Sequence, residues 1–506
     1  MNFEKLSNVK TRFAPSPTGY LHIGNIRAAI INYLFAKKNN GNFILRIDDT
    51  DSEKVKNEYI ENIYKDLSWL NLDYEYSFKQ SQQKYVYNYF IKKLIELDVI
   101  YPCFETEEEL NIQRDISIKS NKPFIYNKNS CNLTIKEKEE MIKLGKKPYY
   151  RFQLSNKLIS WNDMIKGNVQ FNAKNLSDPV VLRSNGEIIY ILASVIDDCM
   201  ANITHIIRGE DHITNTAYQI QMFENIINIA KSINQQELNE LETYYQLEKQ
   251  NNNVNNNLSF LNFQYANLPT FGHLGLIRSK DAKISKRVGG FSVKSLREED
   301  HINSNTLMSF LTFIGTSKNV IPYINQVNLL EEFGIDFYSS SSTSYSQNDI
   351  ILLNKKMMQK LEYEHIQDKY PNITLEFWQA VKMNIENEND LITYHKIISE
   401  PSLKVETDAK IILILKLLIE YIENSNSYLE LSDIVDYIMN YYIKNNSKLD
   451  LEANKNLYQS IQKKDIYIAI RMSLTGQISG PEVATLLNLI KKDIIIKRLQ
   501  FCIYGK

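Results

Sequence analysis

The residues best suited to chemistry stand near the start of the chain, in the stretch Arg12-Phe-Ala-Pro-Ser-Pro-Thr-Gly19 and the triplet His22-Ile-Gly24. The apolar alternation before this stretch predicts a short strand, and the spacing after it predicts a helix. Free backbone N–H groups at such a helix start attract phosphate, Gly24 would let a ligand come close, and the His22 imidazole could donate to a phosphate oxygen. The triplet alone is a weak signal, because a histidine at a helix start and prolines that shape a turn explain it more simply.

An acidic run, Asp48-Asp-Thr-Asp51, follows a second predicted strand at 43–47. Strand, rigid loop, helix and strand in this order predict the opening of a doubly wound parallel sheet, whose ligands sit beyond the carboxyl ends of the strands. Carboxylates at that edge could receive an ammonium group or a metal ion. A solvated turn that caps a helix is the alternative, and the residue types alone favour it.

Two basic features lie further along the chain. Arg208 follows a predicted strand at 203–207 and so stands at a carboxyl edge as well, although a partly exposed pair with Glu210 would also explain it. The run Lys283-Ile-Ser285-Lys286-Arg287 would neutralise phosphate if it lay near the first motif. A lysine-rich loop is more often a plain surface patch.

Composition restricts the class of protein. The chain has 506 residues, and its 59 Lys and Arg nearly balance 60 Asp and Glu. That length suits about two to four domains, and any contact with nucleic acid has to come from local patches. The four cysteines are scattered, which favours free thiols in a reducing compartment. No secretory signal or long apolar run is present, so a soluble protein with no membrane partner is expected.

The complete first motif is far more specific than its parts. The stretch from Arg12 to Gly19, followed at once by His22-Ile-Gly24 and later by the basic run at 283–287, resembles the signatures of bacterial-type glutamyl-tRNA synthetases. These are class I aminoacyl-tRNA synthetases. Asn25 stands where many class I enzymes have a second histidine, a variation that the glutamate branch accepts. The resemblance covers nearly the whole chain, except an Asn-rich segment and parts of 320–350 and 380–460.

The resemblance also implies roles for the site residues. His22 and Lys286 would be the catalytic residues, because they would stabilise the phosphates. The residues implied to bind ATP are His22, Gly24, Asn25, Lys283, Ser285, Lys286 and Arg287. The residues implied to bind glutamate are Arg12, Ala14, Ser16, Asp48, Tyr190, Ser194 and Arg208. Two arginines for two carboxylates and one acid for the ammonium group suit this substrate, and Arg12 is expected to distinguish glutamate from glutamine.

Two of these positions depart from the pattern of the family. Asp48 stands where a glutamate is usual, which keeps the charge on a shorter side chain. Ser194 stands where many members have asparagine, and it can still form a hydrogen bond with shorter reach.

The implied fold class is an α/β Rossmann-type catalytic domain with an inserted acceptor-stem-binding domain, followed by an all-α anticodon-binding region. The expected limits are 1–80 and 179–315 for the two halves of the catalytic domain, 81–178 for the insertion, 316–370 for a stem-contacting helical region and 371–506 for the anticodon-binding domain. Within the second half, 229–266 is expected to be a disordered Asn-rich insertion and 283–287 a mobile loop. From the apolar helix faces alone, a dimerisation bundle would explain the C-terminal region as well.

The insertion of this family often carries zinc. Here Cys103-x-Glu105 and Cys131-x-Leu133 stand where zinc-binding members have pairs of ligands. Two thiolates do not make a tetrahedral site, and leucine cannot coordinate a metal, so zinc is not expected.

The implied reaction has two steps. L-glutamate attacks the α-phosphorus of ATP, with Mg²⁺ bound to the nucleotide, to give glutamyl-adenylate, and the terminal ribose of tRNA then takes the glutamyl group. The expected partner is tRNA-Glu, with tRNA-Gln left open, and the expected state is a cytoplasmic monomer, with an organellar origin left open. One alternative is a glutaminyl-tRNA synthetase, whose branch usually has Pro-Glu-Pro-Asn-Gly at 15–19. The other is an inactive tRNA-binding relative, which the loss of His22 or Lys286 would have favoured.

Overall fold

Short strands and the helices between them carry the first motif. The computed structural model describes residues 9–51, 53–121, 124–252, 266–280, 292–399, 405, 407–425, 429–446, 461–478 and 480–505. The strands are β1 (Lys10–Phe13), β2 (Asn42–Ile47), β3 (Ser77–Lys79), β4 (Ile100–Cys103), β5 (Tyr149–Phe152), β6 (Leu158–Asp163), β7 (Gly167–Asn172), β8 (Val180–Leu182), β9 (His205–Gly209), β10 (Thr270–Leu274), β11 (Ile277–Ser279) and β12 (Thr343–Tyr345). The helices up to the Asn-rich segment are α1 (Ile23–Lys38), α2 (Asn57–Trp69), α3 (Lys84–Glu96), α4 (Glu107–Lys119), α5 (Ile135–Lys143), α6 (Tyr190–Met200), α7 (Ile213–Ser232) and α8 (Gln235–Asn252).

The central sheet has a doubly wound order. β1 pairs in parallel with β2, and β2 with β3, whereas β9 and β10 form a second parallel pair. The backbone N–H of Thr204 donates to the carbonyl of Lys10 at 2.9 Å, which places β9 beside β1. The order is therefore β3-β2-β1-β9-β10, and it reverses between β1 and β9. The predicted Rossmann-type fold is confirmed, and its ligand crevice is expected at this reversal.

Helix α1 connects β1 to β2, and most of its residues are buried. Ile26, Ala29 and Ile30 have no exposed surface. The chain leaves the helix through Asn40, which adopts a left-handed φ of 54°. Gly41 follows, and its backbone N–H donates to the Ala36 carbonyl at 2.8 Å, which closes the end of the helix. A Cβ at Gly41 would lie 2.1 Å from the carbonyl oxygen of Val9, so this position is small because two backbone segments meet there.

The region between the two halves of the sheet is mainly antiparallel. β4, β5 and β8 form one sheet, and β6 and β7 form a hairpin. Helix α4 begins at Glu107, because Thr106 and Glu109 form a capping box at its start. After β8 the chain turns back on itself, with backbone hydrogen bonds from Arg183 to Glu187 and from Ile189 to Val181, and it enters α6 at Tyr190.

The prediction of a disordered insertion at 229–266 is wrong for its first part. α7 continues to Ser232, and α8 covers Gln235–Asn252. Leu238 and Leu241 are 4% and 1% exposed and belong to the same apolar core as Phe223. The polar composition hid two leucines three residues apart, which is the spacing of one helix face. Residues 253–265, which hold most of the Asn-rich run 251–257, lie outside the described part of the chain.

The remaining elements are almost all helical. They are α9 (Val293–Glu298), α10 (Ser304–Phe313), α11 (Gln326–Glu332), α12 (Gln347–Lys360), α13 (Tyr363–Gln367), α14 (Leu375–Val381), α15 (Glu388–Ser399), α16 (Ala409–Asn424), α17 (Leu431–Asn446), α18 (Lys463–Thr475), α19 (Val483–Leu489) and α20 (Lys492–Tyr504). The last five pack around one apolar core that includes Ile414, Ile470 and Leu499. The predicted helical character of the C-terminal region is confirmed.

The chain divides into two compact units. One comprises Met1–Glu299 with Leu307–Gln347, and the other comprises Asp300–Thr306 with Asn348–Lys506. This division falls inside the expected stem-contacting region at 316–370. Among the helices that the structure describes, none is long and apolar enough to cross a membrane.

Candidate active site

A pocket of about 570 Å³ opens at the carboxyl ends of β1 and β9, where the order of the sheet reverses. Its walls include most of the segment 12–25 and the segment 207–212. The predicted site residues that line it are Arg12, Ala14, Ser16, His22, Gly24, Asn25, Tyr190 and Arg208. Asp48 and Ser194 are buried and are not among the lining residues. Lys283, Ser285, Lys286 and Arg287 lie outside the described residues.

The proline loop of the first motif is tied to the end of β2. The carbonyl of Pro15 accepts from the backbone N–H of Asp48 at 3.0 Å, and the carbonyl of Pro17 accepts from that of Lys56 at 3.4 Å. Both prolines are buried, whereas Ser16 between them is exposed. The prolines therefore fix a loop that presents Ser16 at the pocket.

His22 caps the helix that starts in the pocket. Its Nδ1 accepts from the backbone N–H of Gly24 at 3.0 Å and from that of Asn25 at 3.4 Å. Because Nδ1 accepts, the neutral ring carries its proton on Nε2. Loss of surrounding water lowers the pKa of His22, and the nearby Asp211 carboxylate opposes this shift. His22 is thus a neutral Nε2–H donor at neutral pH, as the predicted phosphate contact needs.

The imidazole ring of His22 occupies the space that a side chain at position 24 would need, which explains the glycine there. A Cβ at Gly24 would lie 2.8 Å from Cε1 and 3.0 Å from Nδ1 of the imidazole ring. A side chain at this position would push the ring away from the helix start. The sequence pattern suggests that Gly24 makes room for a ligand, and the structure adds that it makes room for the histidine.

Behind the pocket, four charged side chains form a buried chain of ion pairs. Nε of Arg12 lies 3.1 Å from Oδ1 of Asp198, and NH1 of Arg46 lies 2.7 Å from the same oxygen. Nε and NH2 of Arg46 then donate to the two oxygens of Asp48 at 2.6 and 3.2 Å. Arg46 and Asp198 were not predicted as site residues, although Arg46 lies near the end of β2, just before the acidic run.

These contacts change the expected role of Asp48. Its carboxylate is 5% exposed and is paired with Arg46, so it holds that arginine behind the pocket wall. Burial raises the pKa of Asp48, and Arg46 opposes the shift. Burial alone would lower the pKa of Arg46, but Asp48, Asp198 and Asp197 together raise it well above its ordinary value.

Asp197 lies next to this chain of ion pairs. Its carboxyl accepts from the Tyr87 hydroxyl at 2.9 Å and from Nε2 of Gln80 at 2.7 Å, and it lies 3.7 Å from Nε of Arg46. Burial raises the pKa of Asp197 to about 7. With Arg12 and Arg46 facing three aspartates, a proton on Asp197 makes the group electrically neutral.

Arg208 differs from Arg12 and Arg46, because the structure shows no carboxylate paired with it among the described residues. Its NH2 donates to Oγ1 of Thr216 at 2.7 Å and to Oε1 of Gln219 at 2.6 Å, and its NH1 donates to the Tyr190 hydroxyl at 3.4 Å. Nε is buried and has no hydrogen-bond partner among the described residues. Burial lowers the pKa of Arg208. A guanidinium that is 7% exposed and has only neutral partners is prepared to receive an anion.

Ser194 is placed behind this arginine. It is 1% exposed, and its hydroxyl accepts from Nε2 of Gln219 at 2.8 Å. Gln219 therefore links Ser194 to Arg208. Neither Gln219 nor Thr216 was predicted from the sequence, because both lie on α7, a helix without a motif of its own.

Cys103 of the insertion lies near the Glu105 carboxylate, which has three hydroxyl partners. Glu105 accepts from Tyr126 at 2.6 Å, Ser130 at 2.8 Å and Tyr149 at 3.1 Å. Burial raises the pKa of the Cys103 thiol to about 12. In the part of the chain that the structure describes, no three His, Cys, Asp or Glu side chains are grouped to hold a metal ion.

Comparison with known proteins shows which families and proteins this chain is similar to. Residues 8–262 match the family described as tRNA synthetases class I (E and Q), catalytic domain. Glutamate–tRNA ligase 2 of Rickettsia canadensis is 37% identical over 499 residues, which cover 98% of this chain and 100% of that protein. Glutamate–tRNA ligase 1 of Rickettsia felis is 38% identical over 503 residues, which cover 98% of this chain and 99% of that protein.

The chain belongs to the glutamate–tRNA ligase family of class I tRNA synthetases. A solved structure of a glutamate tRNA ligase from Elizabethkingia meningosepticum, in complex with its amino acid, superposes with a TM-score of 0.71 at 21% identity. The alignment covers 98% of this chain and 99% of that one, so the fold of this ligase family extends over both compact units.

Proposed function

We propose that this chain is a glutamate–tRNA ligase, which activates L-glutamate with ATP and transfers the glutamyl group to the 3′ end of tRNA-Glu. Membership of the ligase family over 98% of the chain supports the reaction. The observation that supports the substrate is Arg208, a buried guanidinium at the pocket with neutral partners only among the described residues.

Glutamate has a carboxylate at each end, and the pocket has different groups for the two. The α-carboxylate must lie where it can attack the α-phosphorus, which is the end of the pocket where His22 caps α1. The side-chain carboxylate is then left for the arginines. Arg208 has no competing anion among the described residues, whereas Arg12 shares Asp198 with Arg46. We therefore assign the side-chain carboxylate first to Arg208, with Tyr190 beside it and Arg12 as a second donor.

The start of α1 would bind the phosphates of ATP. The Nε2–H of His22 is a donor at the positive end of this helix, and Gly24 leaves the approach to it free of a side chain. The loop 283–287, with Lys286 as its central cation, would neutralise pyrophosphate as it leaves. Asp211 is the one carboxylate among the described lining residues. One carboxylate together with substrate phosphates is a usual setting for Mg²⁺, so a nucleotide-bound Mg²⁺ fits.

We assign the contacts with tRNA to different parts of the chain. The insertion at 81–178 would hold the acceptor stem, and the helical unit would read the anticodon of tRNA-Glu, with tRNA-Gln as a second substrate to be tested. The helical unit has a pocket of about 210 Å³ that includes Tyr467 and Arg471. An aromatic face and a guanidinium are groups on which unpaired RNA bases stack.

The proposal is tested by aminoacylation of purified tRNA-Glu and tRNA-Gln transcripts with labelled glutamate and labelled glutamine. We expect glutamate to be attached to tRNA-Glu and glutamine to neither transcript. Charging of tRNA-Gln with glutamate would extend the substrate range. Charging with glutamine would identify the glutaminyl branch instead, and the absence of any charging would contradict the proposal.

A further inference from the structure

We propose that Thr216 and His273 are positioning residues, which orient Arg208 for a carboxylate while keeping a compensating carboxylate at a distance. The inference rests on the proposed function, because the carboxylate in question is that of glutamate. It concerns a row of four buried side chains, Asp163, His273, Thr216 and Arg208, of which only Arg208 lines the pocket.

The row is continuous from one side chain to the next. Oδ2 of Asp163 lies 2.5 Å from Nδ1 of His273, and Nε2 of His273 lies 2.8 Å from Oγ1 of Thr216. That hydroxyl accepts from NH2 of Arg208 at 2.7 Å. His273 and Thr216 have no exposed surface. The four residues come from three strands and a helix, so the row exists only in the folded unit.

The sheet register brings the two ends of the row together. β9 and β10 are parallel, and His273 is the register partner of Arg208. Register partners on neighbouring strands have side chains on the same face of a sheet. Thr216, in the first turn of α7, then fills the space between the imidazole and the guanidinium.

The hydrogen-bond directions follow from the anion at the far end. Asp163 also accepts backbone N–H bonds from Ile165, Lys166 and His273 at 3.0 Å each. It is therefore an anchored anion, and His273 donates to it through Nδ1–H. In the neutral ring Nε2 then accepts from the Thr216 hydroxyl at 2.8 Å, which is shorter than the 3.3 Å from that hydroxyl to the His212 carbonyl. The oxygen lone pairs of Thr216 are left for Arg208.

This arrangement solves a conflict in a carboxylate-binding site. A carboxylate in direct contact with Arg208 would fix the guanidinium but would compete with the substrate for it. The hydroxyl of Thr216 fixes the guanidinium without neutralising it. Asp163 is separated from Arg208 by two uncharged groups, so its charge orients the row and leaves the arginine available to a ligand.

The test compares Thr216→Val with Thr216→Ser. Valine keeps the shape of threonine and removes the hydroxyl, whereas serine keeps the hydroxyl and removes the methyl group. Thr312 supplies a matched control, because it is a buried helical threonine whose hydroxyl donates to a backbone carbonyl, that of Met308, at 2.7 Å. For each variant, the KM values for glutamate, ATP and tRNA-Glu are measured in steady-state aminoacylation, together with the unfolding midpoint.

We expect Thr216→Val to raise the KM for glutamate by about tenfold or more, the scale of one hydrogen bond to a charged group, while the KM for ATP stays within about twofold. Thr216→Ser should keep the KM for glutamate close to the wild-type value, and Thr312→Val should leave all three KM values unchanged. Equal effects of Thr216→Val on all three substrates, or none on glutamate, would overturn the positioning role even if the wild type charges tRNA-Glu. A wild type that does not charge tRNA-Glu would overturn the proposed function itself.

Discussion

At the scale of single residues, the pocket combines charges that are neutralised with one that is not. Arg12 and Arg46 are paired with aspartates, whereas Arg208 has neutral partners among the described residues. The sequence motif identifies Arg12 and His22 directly. It does not show that Arg46 is paired with Asp198, because these two residues are 152 positions apart in the sequence.

Replacement of Gly24 by alanine should separate stability from activity. Alanine is the better helix former by up to about 1 kcal/mol, and loss of the His22 cap costs about as much, so the free energy of unfolding should change by no more than about 1 kcal/mol. The added Cβ would displace the His22 ring, which lies 2.8 Å from the Cβ position. A displacement of about 1 Å in a reacting group can cost about a hundredfold in rate, so tRNA-dependent pyrophosphate exchange should fall by at least about tenfold. A variant with unchanged exchange would show that the position of His22 does not matter for activation.

Asp197 should make stability depend on pH. Its pKa is raised to about 7 by burial in the folded protein, against about 4 for an exposed aspartate. The folded state therefore holds the proton more tightly, and this contribution to stability is lost as the pH rises to about 7. The variant Asp197→Asn has no carboxyl group to titrate at this position. Its free energy of unfolding should therefore rise relative to that of the wild type between about pH 5 and pH 8.

Urea unfolding at several pH values measures this gap. Asp115→Asn, at an exposed aspartate in α4, is the matched control. A gap for Asp197→Asn that is constant or shrinks as the pH rises would mean that the Asp197 carboxylate is ionised and stabilising in the folded protein.

At the scale of elements, local sequence patterns predict single helices and strands well, but they do not show which distant segments pair. The order of β1, α1 and β2 could be predicted, because each element shows its own period within the first fifty residues. The contact of β9 with β1 joins segments almost two hundred residues apart, and no local pattern shows it. The same holds for His273, which lies beside Arg208 only through the pairing of β9 with β10.

Helix α8 shows how composition can mislead, and its packing can be tested. Leu241 is 1% exposed in the core, so Leu241→Ala should lower the free energy of unfolding by about 2–5 kcal/mol. Gln246 is exposed on the same helix, and Gln246→Ala should change it by no more than about 0.5 kcal/mol. Urea unfolding of the two variants is the measurement. Equal, small effects would mean that α8 does not pack as the structure has it.

At the scale of the whole molecule, the chain combines a doubly wound unit with a helical unit, and the family relationship covers both. The near-zero net charge gives no general attraction to RNA, so recognition has to come from local surfaces. The sequence predicts both architectures from the change in period along the chain. We propose that the first unit selects glutamate by its side-chain charge.

The most direct test of that claim is steady-state aminoacylation of tRNA-Glu with glutamate and with glutamine, for the wild type and for Arg208→Gln. A neutral amide would leave the buried guanidinium uncompensated, so the wild type should prefer glutamate by about a thousandfold or more in kcat/KM. Arg208→Gln should use glutamate poorly and should lose most of that preference. If the variant kept the wild-type preference, the side-chain carboxylate would be read by another group, with Arg12 the first to examine, and the assignment to Arg208 would be wrong.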